Sequence, residues 1–594
     1  MKINFFILVF LGSMITPGVS QNTLPAWSKG AVWYQVVPER FRNANTKNDP
    51  LRERVVDKNV KDWQVHPWAS DWFKFQIWES TRKAQFYDLV KDRRYGGDLI
   101  GVIEKLEYLK TLGVDVIYLN PIFESPSAIK YDAATFHHVD NNFGEDREGD
   151  WSLLSSQQED PERWETTSSD ETFFDLLKSA HDADMKVVLE AAFSYCGRDF
   201  WAFKDLLEKQ QDSPYKEWFE VLCWDNPVTI DTSEFTYKSW QNDRNLPCFK
   251  QDENGLVAPV NKYIFDSTRK WMDPNGDGEP QDGIDGWCVT AAEELDLAFW
   301  QEWADTVKSI NPLALTVLNS SSKTFHASTE SPFDVFINYA FKNSIEKFFV
   351  QPEMSVTEFD KSMASLRAES GETGLSLLNL IGSYNSARIE SRIFNSSKNF
   401  TNGSNSYQEK AYDPRKPDKA DRQTHKLIAI FQMTYPGSPL IYYGDESGMW
   451  GGPNPDNLKP MLWSEFVTEK ETYWNVRKGL RGESENTFDA TLFSLYAKLN
   501  YLRHKNPAIR HGNFKTYLVD DKRRLFAYLR QFENNEALVV LNNSDQRQTV
   551  EIASVWEKGT KVKDVLNNQK YSITNKPIKI ELGKKWGALL VHTK

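Results

Sequence analysis

Short apolar runs rich in β-branched and aromatic residues alternate along most of the chain with amphipathic stretches of helical spacing. Apolar runs of this length are typical of buried strands, and strands separated by helical stretches predict parallel β-structure with crossover helices. The predicted fold class is therefore α/β, with about eight strands in its main domain. The predicted strands are Ala31–Val37, Val114–Leu119, Lys186–Glu190, Ile284–Val289, Leu315–Leu318, Val335–Asn338, Ser376–Ile381 and Leu440–Tyr443.

One connection in this series is too long and too polar for an ordinary loop. Residues 123–169, between the second and third runs, are dense in Asp, Glu, Gln and Ser. Loops between strands and helices usually have about 2–6 residues. The segment therefore predicts a small inserted subdomain over the strand ends.

The pattern changes near Gly512, where helical spacing ends and only short strands follow. Turn signals such as Asn542-Asn543 separate these strands. We expect residues 511–594 to form an antiparallel β-sandwich, packed against the end of a larger domain of residues 21–510. Its predicted strands are Thr516–Val519, Leu525–Phe532, Ala537–Leu541, Thr549–Ile552, Lys561–Val565, Ile578–Ile580 and Ala588–His592.

Residues 1–20 have the order of a cleavable signal peptide. They contain Lys2, the apolar stretch Phe5–Leu11 and the small residues Gly18 to Ser20 before Gln21. The apolar stretch is too short to span a bilayer, and no other segment has the ~18 uninterrupted apolar residues of a membrane span. We therefore expect an exported protein, periplasmic or extracellular, without a membrane span.

The charge balance argues against nucleic acid as a partner. The 594 residues include 71 Lys and Arg against 84 Asp and Glu, a formal net charge of −13, and there is no long run of Lys or Arg. An electrostatic footprint for nucleic acid would need such a run. Aromatic residues make up 13% of the chain. They suit either stacking on sugar rings or the core of a large barrel, and both readings stay open.

The chain has four cysteines, few for its length, and their spacing matches no zinc pattern. In an oxidising compartment a bridge between Cys223 and Cys248 is one possibility, and free buried thiols are the other. Sequence leaves this choice open.

Six motifs spread over the chain are Ala31–Phe41, Tyr95–Gly101, Leu119–Phe123, Ile284–Trp287, Gln432–Gly437 and Ile441–Glu446. They resemble the α-amylase family, glycoside hydrolase family 13, and most closely its neopullulanase and cyclomaltodextrinase branch. The resemblance covers essentially the whole mature chain. It implies a (β/α)8 TIM barrel with a C-terminal sandwich and a place in starch or maltodextrin metabolism. It also implies an insert after the third strand, whereas the strand count places residues 123–169 after the second.

Members of this family hydrolyse α-glucosidic bonds with retention, which needs two carboxyl groups roughly 5 Å apart. One is a nucleophile and the other protonates the leaving oxygen, and a barrel supplies both from the carboxyl ends of its strands. The resemblance places Thr290 at the nucleophile position and Asn319 at the proton-donor position. A threonine hydroxyl without a base is a poor nucleophile, and an amide cannot deliver a proton.

The supporting catalytic positions are changed as well. Where the family carries Asp and His after the third strand, this chain has Glu190 and Tyr195. Cys288 replaces the Arg that would keep the nucleophile ionised. The family's His and Asp after the seventh strand correspond to Tyr384 and Asn385. Because the surrounding glycines, prolines and apolar strands are intact, the pattern indicates that the catalytic requirement was lost in a protein that still folds.

Part of the family's sugar-binding pattern is retained. Tyr131 and Asp132 match a Tyr-Asp pair whose tyrosine stacks on the sugar at the cleavage site. Trp450 matches the loop after the eighth strand, but the Asp and Arg that usually hold the neighbouring sugar correspond to Asn454 and Leu458. Stacking by Tyr131 or Trp450 would therefore have to provide glycan affinity.

Three other carboxylates lie at matching strand ends, namely Glu190, Glu293 and Glu294. Glu190 with Glu293 is the one pair that could replace the missing acids. Without the Arg and His framework such a pair would be poorly preorganised.

The resemblance also implies a structural calcium site. Side-chain and backbone oxygens are the ligands that a hard cation needs, although one usual Asp is Asn45 here, which should weaken binding. The same residues could simply cap a surface loop. The candidate ligands are Asn43, Asn45, Asn48, Asp49, Gly96 and Asp98.

Three functional hypotheses follow. The first is an exported pseudoenzyme that binds an α-glucan or another oligosaccharide, or scaffolds a partner in starch use. The second is a weak or altered α-glucan hydrolase or transglycosylase that uses Glu190 and Glu293. The third is a barrel kept as a protein-interaction surface, without sugar binding.

Overall fold

A computed structural model describes residues 24–593, except 227, 229–233, 254, 322–330, 398–411 and 476–479. The predicted signal peptide, residues 1–20, lies outside the described residues. Within the described part of the chain, no helix combines the length and the apolarity needed to cross a membrane.

The main domain is an eight-stranded parallel barrel. Its sheet order is β6-β5-β4-β3-β2-β1-β8-β7, and a bridge between Ile337 and Leu378 joins β6 to β7 and closes the ring. Each of the eight predicted runs overlaps one strand, so the α/β prediction is confirmed. The strands are β1 Trp33–Val36, β2 Val116–Leu119, β3 Lys186–Ala191, β4 Gly286–Thr290, β5 Leu315–Asn319, β6 Val335–Phe336, β7 Leu378–Leu380 and β8 Ser438–Tyr442.

Side chains alternate along these strands between the barrel interior and the layer of helices. Val188 lies in the interior cluster, whereas its neighbour Leu189 belongs to the outer core beneath the helices. This alternation explains why the runs are continuously apolar, since both faces of a parallel barrel strand are buried.

The helices of six or more residues are Leu99–Glu104, Leu106–Leu112, Arg147–Leu154, Ser168–Asp182, Trp201–Lys209, Ala258–Met272, Leu297–Ile310, Tyr339–Ile345, Val356–Ser370, Ile389–Phe394, Lys419–Thr434 and Ala490–Lys505.

Two excursions leave the barrel beyond the carboxyl ends of β2 and β3. The predicted insert, residues 123–169, follows β2, as the strand count indicates, and contains the helix Arg147–Leu154 and a 3-10 turn at Pro161–Arg163. The resemblance implied an insert after the third strand, and a further excursion is indeed found there. It contains the helix Trp201–Lys209 and two short hairpins, Val221–Cys223 with Thr236–Tyr237 and Gln251–Asp252 with Gly255–Leu256.

The C-terminal domain is an antiparallel β-sandwich, as predicted. A six-stranded sheet, β9-β10-β11-β16-β13-β14, packs against the pair β12-β15. One strand of this domain, β14, was not predicted, because its polar residues are mostly exposed. The strands are β9 Asn513–Asp520, β10 Leu525–Phe532, β11 Asn535–Asn542, β12 Gln548–Ile552, β13 Lys561–Asp564, β14 Gln569–Ser572, β15 Ile578–Leu582 and β16 Trp586–His592.

Strand β10 is buried on both faces and joins the two domains. Phe526 and Tyr528 belong to the core of the barrel domain, whereas Leu525 and Ala527 belong to the sandwich interior. The Arg530 guanidinium donates a hydrogen bond of 2.6 Å to the carbonyl oxygen of Thr434. Because alternate side chains of β10 enter the two cores, this one strand attaches the sandwich to the barrel domain.

All four cysteines are unpaired in the structure, so the bridge between Cys223 and Cys248 is not formed. Cys223 is exposed, whereas Cys196, Cys248 and Cys288 are buried.

Candidate functional site

The carboxyl ends of β3, β4 and β5 bring four predicted residues together. Cys288 lies in the apolar interior of the barrel and is the register partner of Glu190. Thr290 lies two residues further along β4, on the same face, and is the register partner of Asn319. Because strand residues two apart share a face, all four side chains belong to the interior side of the strand ends.

Glu190 is the fully buried centre of a hydrogen-bond network. The Tyr118 hydroxyl donates to its Oε2 at 2.7 Å, and the Asn120 amide donates to the same oxygen at 3.2 Å. The Asn319 amide donates to Oε1 at 3.0 Å. The Tyr339 hydroxyl in turn donates to Oδ1 of Asn319 at 2.7 Å. Both carboxyl oxygens of Glu190 are therefore engaged within the protein.

Burial raises the pKa of Glu190 to about 7, and the hydroxyl and amide donors limit the rise. Burial also raises the pKa of the adjacent Cys288 thiol, with the charge of Glu190 as the second cause. That thiol is therefore neutral at neutral pH, and a thiol cannot supply the positive charge that would keep Glu190 ionised. The site holds a carboxyl that is only partly ionised near neutrality, surrounded by neutral groups.

Tyr131 reaches this network but one face of its ring is already covered. The Asn120 amide donates to its hydroxyl at 2.9 Å. The Tyr384 ring stacks on it with centroids 5.3 Å apart and planes inclined by 29°. A sugar that used this face of Tyr131 would have to displace Tyr384.

The other predicted residues of this region have separate roles. Tyr195 is buried and stacks on Trp240, with centroids 4.8 Å apart. The Asp132 carboxylate accepts hydrogen bonds from Ser125, at 2.6 Å, and from Ser127, which orders the preceding loop. Asn385 is exposed.

The two glutamates after β4 differ strongly from Glu190 in environment. Glu293 and Glu294 are exposed and lie on the 3-10 turn Ala292–Glu294. Partial burial raises the pKa of Glu293, and the charge of Glu294 adds to the rise. The proposed pair of Glu190 and Glu293 thus combines a buried carboxyl, held by three donors, with one at the surface.

Trp450 offers little surface to a ligand. It is 1% exposed, and its indole N–H donates to the carbonyl oxygen of Pro414 at 3.1 Å. The ammonium groups of Lys459 and Lys416 lie 4.9 and 5.3 Å from its ring centroid. These contacts make Trp450 part of the packing of its loop rather than a free stacking platform.

The predicted calcium residues form one compact loop. Asp98 accepts hydrogen bonds from the backbone N–H groups of Asn45 and Gly101, at 3.0 and 2.6 Å. The Asn43 amide donates to Oδ1 of Asp49 at 2.7 Å. Gly96 has a φ of +71°, and a Cβ there would lie 2.1 Å from Oδ1 of Asp49. Glycine is therefore required for the loop to close on the carboxylate.

The oxygens of this loop fit a hard cation. The described residues contain no group of three or more His, Cys, Asp or Glu side chains placed to hold a metal. However, the buried Oδ1 atoms of Asn43 and Asn48 have no hydrogen-bond partner. Burial also raises the pKa of Asp49 and of Asp98 to about 6. Two carboxyls and two amide oxygens without a hydrogen-bond partner match the chemistry of a calcium donor set.

The network around Glu190 includes several residues that were not predicted from the sequence. Gln35 donates to Oδ1 of Asn120 at 3.0 Å, and both residues lie at carboxyl ends of strands, as does Tyr118. Their position at strand ends could have identified them as site residues, because the carboxyl ends of all barrel strands lie at one face of the barrel. Tyr339 begins a helix and carried no such signal.

Comparison with known families settles the relationship of the chain. A sequence model of the α-amylase catalytic domain matches residues 35–160 and 164–512, and one of the maltogenic amylase C-terminal domain matches residues 514–586. The chain belongs to the α-amylase family. The two matches together reach from Gln35 in β1 to Trp586, the first residue of β16.

Individual relatives within the α-amylase family include two enzymes of the predicted branch. Neopullulanase 2 of Thermoactinomyces vulgaris is 32% identical over 544 residues, which cover 91% of this chain and 73% of the relative. A cyclomaltodextrinase of Thermoanaerobacter pseudethanolicus is 28% identical over 544 residues, covering 90% and 74%.

A solved structure of an α-amylase-like fold also matches. The cyclic α-maltosyl-(1→6)-maltose hydrolase of Arthrobacter globiformis superposes with a TM-score of 0.68 at 23% identity, covering 96% of this chain and 100% of that one. That enzyme has also been solved with maltose bound. At this identity the similarity supports the fold alone.

Proposed function

We propose that the protein is an exported, catalytically inactive member of the α-amylase family that binds an α-glucan or another oligosaccharide, or scaffolds a partner in starch use. One observation carries the proposal: the register partners Thr290 and Asn319 are both neutral, and the Asn319 amide donates to the buried Glu190. By resemblance, these are the positions of the nucleophile and of the acid.

The chemistry of acetal cleavage supports this proposal. A retaining hydrolase needs one ionised carboxylate and one protonated carboxyl, both facing the glycosidic bond. Thr290 and Asn319 can supply neither, and the loss of general acid catalysis alone removes roughly 10²- to 10⁴-fold in rate. The carboxyl of Glu190 already accepts hydrogen bonds from Tyr118, Asn120 and Asn319.

Saccharide binding at the strand ends would rely on Tyr131. Its aromatic ring can stack on a pyranose, while the hydrogen bond from Asn120 holds its hydroxyl in place. The Tyr384 ring competes for one face of Tyr131, so we expect weak affinity. Export is proposed from the signal-like order of residues 1–20.

A structural calcium ion is part of this proposal. Asp49, Asp98 and the side-chain oxygens of Asn43 and Asn48 would hold it. The ion would neutralise the buried carboxylate of Asp98 and the half-buried one of Asp49, and would connect the loop after β1 with the residues around Gly96. It would contribute stability rather than chemistry.

The second candidate function is weak hydrolysis or transglycosylation by Glu190 and Glu293. The pKa of about 7 favours this candidate, because it would let Glu190 act as a general acid near neutral pH. The third candidate, a protein-interaction barrel without sugar binding, is favoured by the cover that Tyr384 places on Tyr131.

Two measurements separate these candidates. We expect maltodextrin, cyclodextrin and pullulan to remain intact with purified protein, and maltoheptaose to bind in calorimetry with affinity that drops in Tyr131→Ala. Hydrolysis that disappears in Glu190→Gln would establish the second candidate instead. If no saccharide binds at millimolar concentration, the third candidate, a protein-interaction barrel without sugar binding, would remain.

A further inference from the structure

A cleft lies between the insert that follows β2 and the helix Trp201–Lys209. Its volume is about 430 Å³, within the range of about 300–1,000 Å³ that is typical of ligand pockets. The helix Arg147–Leu154 forms one wall and the helix Trp201–Lys209 the opposite wall. The residues that line it do not include Glu190, Thr290 or Asn319, so it is separate from the strand-end site.

Each wall contributes one half-buried tryptophan. Trp201 is held from behind by edge-to-face contacts with Tyr215, at 4.9 Å, and Trp218, at 5.4 Å. The guanidinium of Arg54 lies 3.1 Å from the ring centroid of Trp151 and covers one face of that indole. Two indoles fixed in this way present flat apolar surface at little cost in conformational entropy, which is what the C–H faces of a pyranose require.

Between the tryptophans the lining is polar, with both amide and charged side chains. The amide side chains of Asn141, Asn142 and Gln157 line the cleft. The backbone N–H of Asn141 donates to Oε2 of Glu124 at 2.9 Å. Burial, together with the charge of Asp140, raises the pKa of Glu124 to about 8, so at neutral pH its carboxyl can both donate and accept hydrogen bonds. Amides and a neutral acid are groups that bind hydroxyls.

The charges of the cleft nearly balance and are partly engaged. The Arg94 guanidinium donates to the carbonyl oxygen of Pro126 at 2.7 Å, and the Lys130 ammonium forms an ion pair of 2.5 Å with Asp140. A near-balance of charge, with two of the cations already engaged, disfavours a phosphate or another strongly charged ligand. With Glu124 protonated, the charged side chains of the lining are Arg54, Arg94, Lys130 and Lys204 against Asp199, Asp205 and Glu208.

We propose that this cleft is a second saccharide site, which takes a neutral oligosaccharide between Trp151 and Trp201. The class of ligand follows from the cleft itself. The choice of a malto-oligosaccharide as the first probe rests on the proposed function. In this arrangement the insert is a binding module beside the barrel, and it does not depend on the chemistry at Glu190.

The test is titration calorimetry of the full chain with maltoheptaose and with cellohexaose in a Tyr131→Ala background, which weakens the strand-end site. We expect one oligosaccharide to remain bound per chain. Adding Trp151→Ala, or adding Ser155→Trp to fill the cleft from an exposed position, should weaken that binding at least ten-fold. Tyr501→Ala, which removes an exposed aromatic ring elsewhere, is the matched control and should leave the binding unchanged.

Ser155→Trp removes no packed side chain, so it keeps the test valid if Trp151→Ala loosens its helix. The proposal is overturned if neither oligosaccharide binds the Tyr131→Ala protein at millimolar concentration, or if both cleft variants retain the affinity. The proposed function fails separately if Tyr131→Ala binds as many oligosaccharides, as tightly, as the wild-type chain.

Discussion

The amide nitrogen of Asn319 lies 3.0 Å from Oε1 of Glu190 and donates a hydrogen bond to it. A carboxyl at position 319 could keep this contact only if one of the two acids stayed protonated, because two carboxylates at this distance repel. The amide removes that conflict and satisfies a buried acceptor. In this respect the hydrogen bonds at the strand ends stabilise a single buried carboxyl.

Asn319→Asp tests this complementarity. The change is isosteric, but it replaces the donor to Glu190 with an acceptor, so we expect a loss of about 1–3 kcal/mol in the free energy of unfolding. The loss should be larger at pH 8 than at pH 5, because protonation relieves the repulsion. Urea titrations at both pH values measure it. The double variant Glu190→Gln, Asn319→Asp restores a donor opposite an acceptor and should recover part of the stability; no recovery would contradict the direct pairing.

The raised pKa of Glu190 predicts a pH dependence of stability. Between its ordinary value of 4.5 and about 7, the folded protein retains a proton that the unfolded chain has lost, so this group's contribution to stability falls as the pH rises. The full difference corresponds to about 3 kcal/mol. In Glu190→Gln this contribution disappears, so the variant should gain stability relative to wild type between pH 5 and pH 8. Other carboxyls titrate in both proteins and cancel. A constant difference across this interval would show that Glu190 ionises normally.

Tyr384→Ala should strengthen saccharide binding at the strand ends. The variant uncovers the ring face of Tyr131 that Tyr384 now occupies, and an aromatic stack of this kind is worth about 0.5–1.5 kcal/mol. We expect up to about ten-fold tighter binding of maltoheptaose in calorimetry. Tyr384→Phe keeps the ring and should behave like wild type. If both variants bind alike, the covering ring has no influence on access.

Calcium should raise the melting temperature at neutral pH. Its binding would neutralise Asp49 and Asp98, whose pKa values of about 6 mean that protons compete with the ion as the pH falls toward 5. Differential scanning fluorimetry with calcium and with EDTA measures the shift. Asp98→Asn, which keeps the oxygen that caps the helix Leu99–Glu104, should abolish it. Asp545→Asn, at an exposed carboxyl, should not. If calcium does not change the melting temperature of the wild-type protein at pH 7, the calcium site is excluded.

The barrel was predictable because each strand is an apolar run of its own, buried on both faces. The runs beginning at Ala31 and Lys186 could therefore be found without knowledge of their partners. Strand β14 was missed because Gln569 and Lys570 are exposed, so burial leaves no pattern in the sequence there. The short strand Leu378–Leu380 was predicted because all of its residues are buried.

The candidate site was only partly predictable. Glu190 and Asn319 could be placed at strand ends, but their mutual hydrogen bond depends on the register between β3, β4 and β5. The sequence predicted Tyr384 only as the replacement for the family's His. Its stacking on Tyr131 joins residues far apart in the chain. Trp450 was expected to meet a sugar, whereas Pro414 and two lysines cover it, contacts that the sequence did not reveal.

The most direct test of the central claim is a reducing-end assay with purified full-length protein on maltodextrin, cyclodextrin and pullulan, with Glu190→Gln and Thr290→Ala measured alongside. The account predicts that wild type and both variants release no sugar above the buffer control. Sustained release by wild type that Glu190→Gln abolishes would show that the strand ends still cleave glycosidic bonds, and would contradict it.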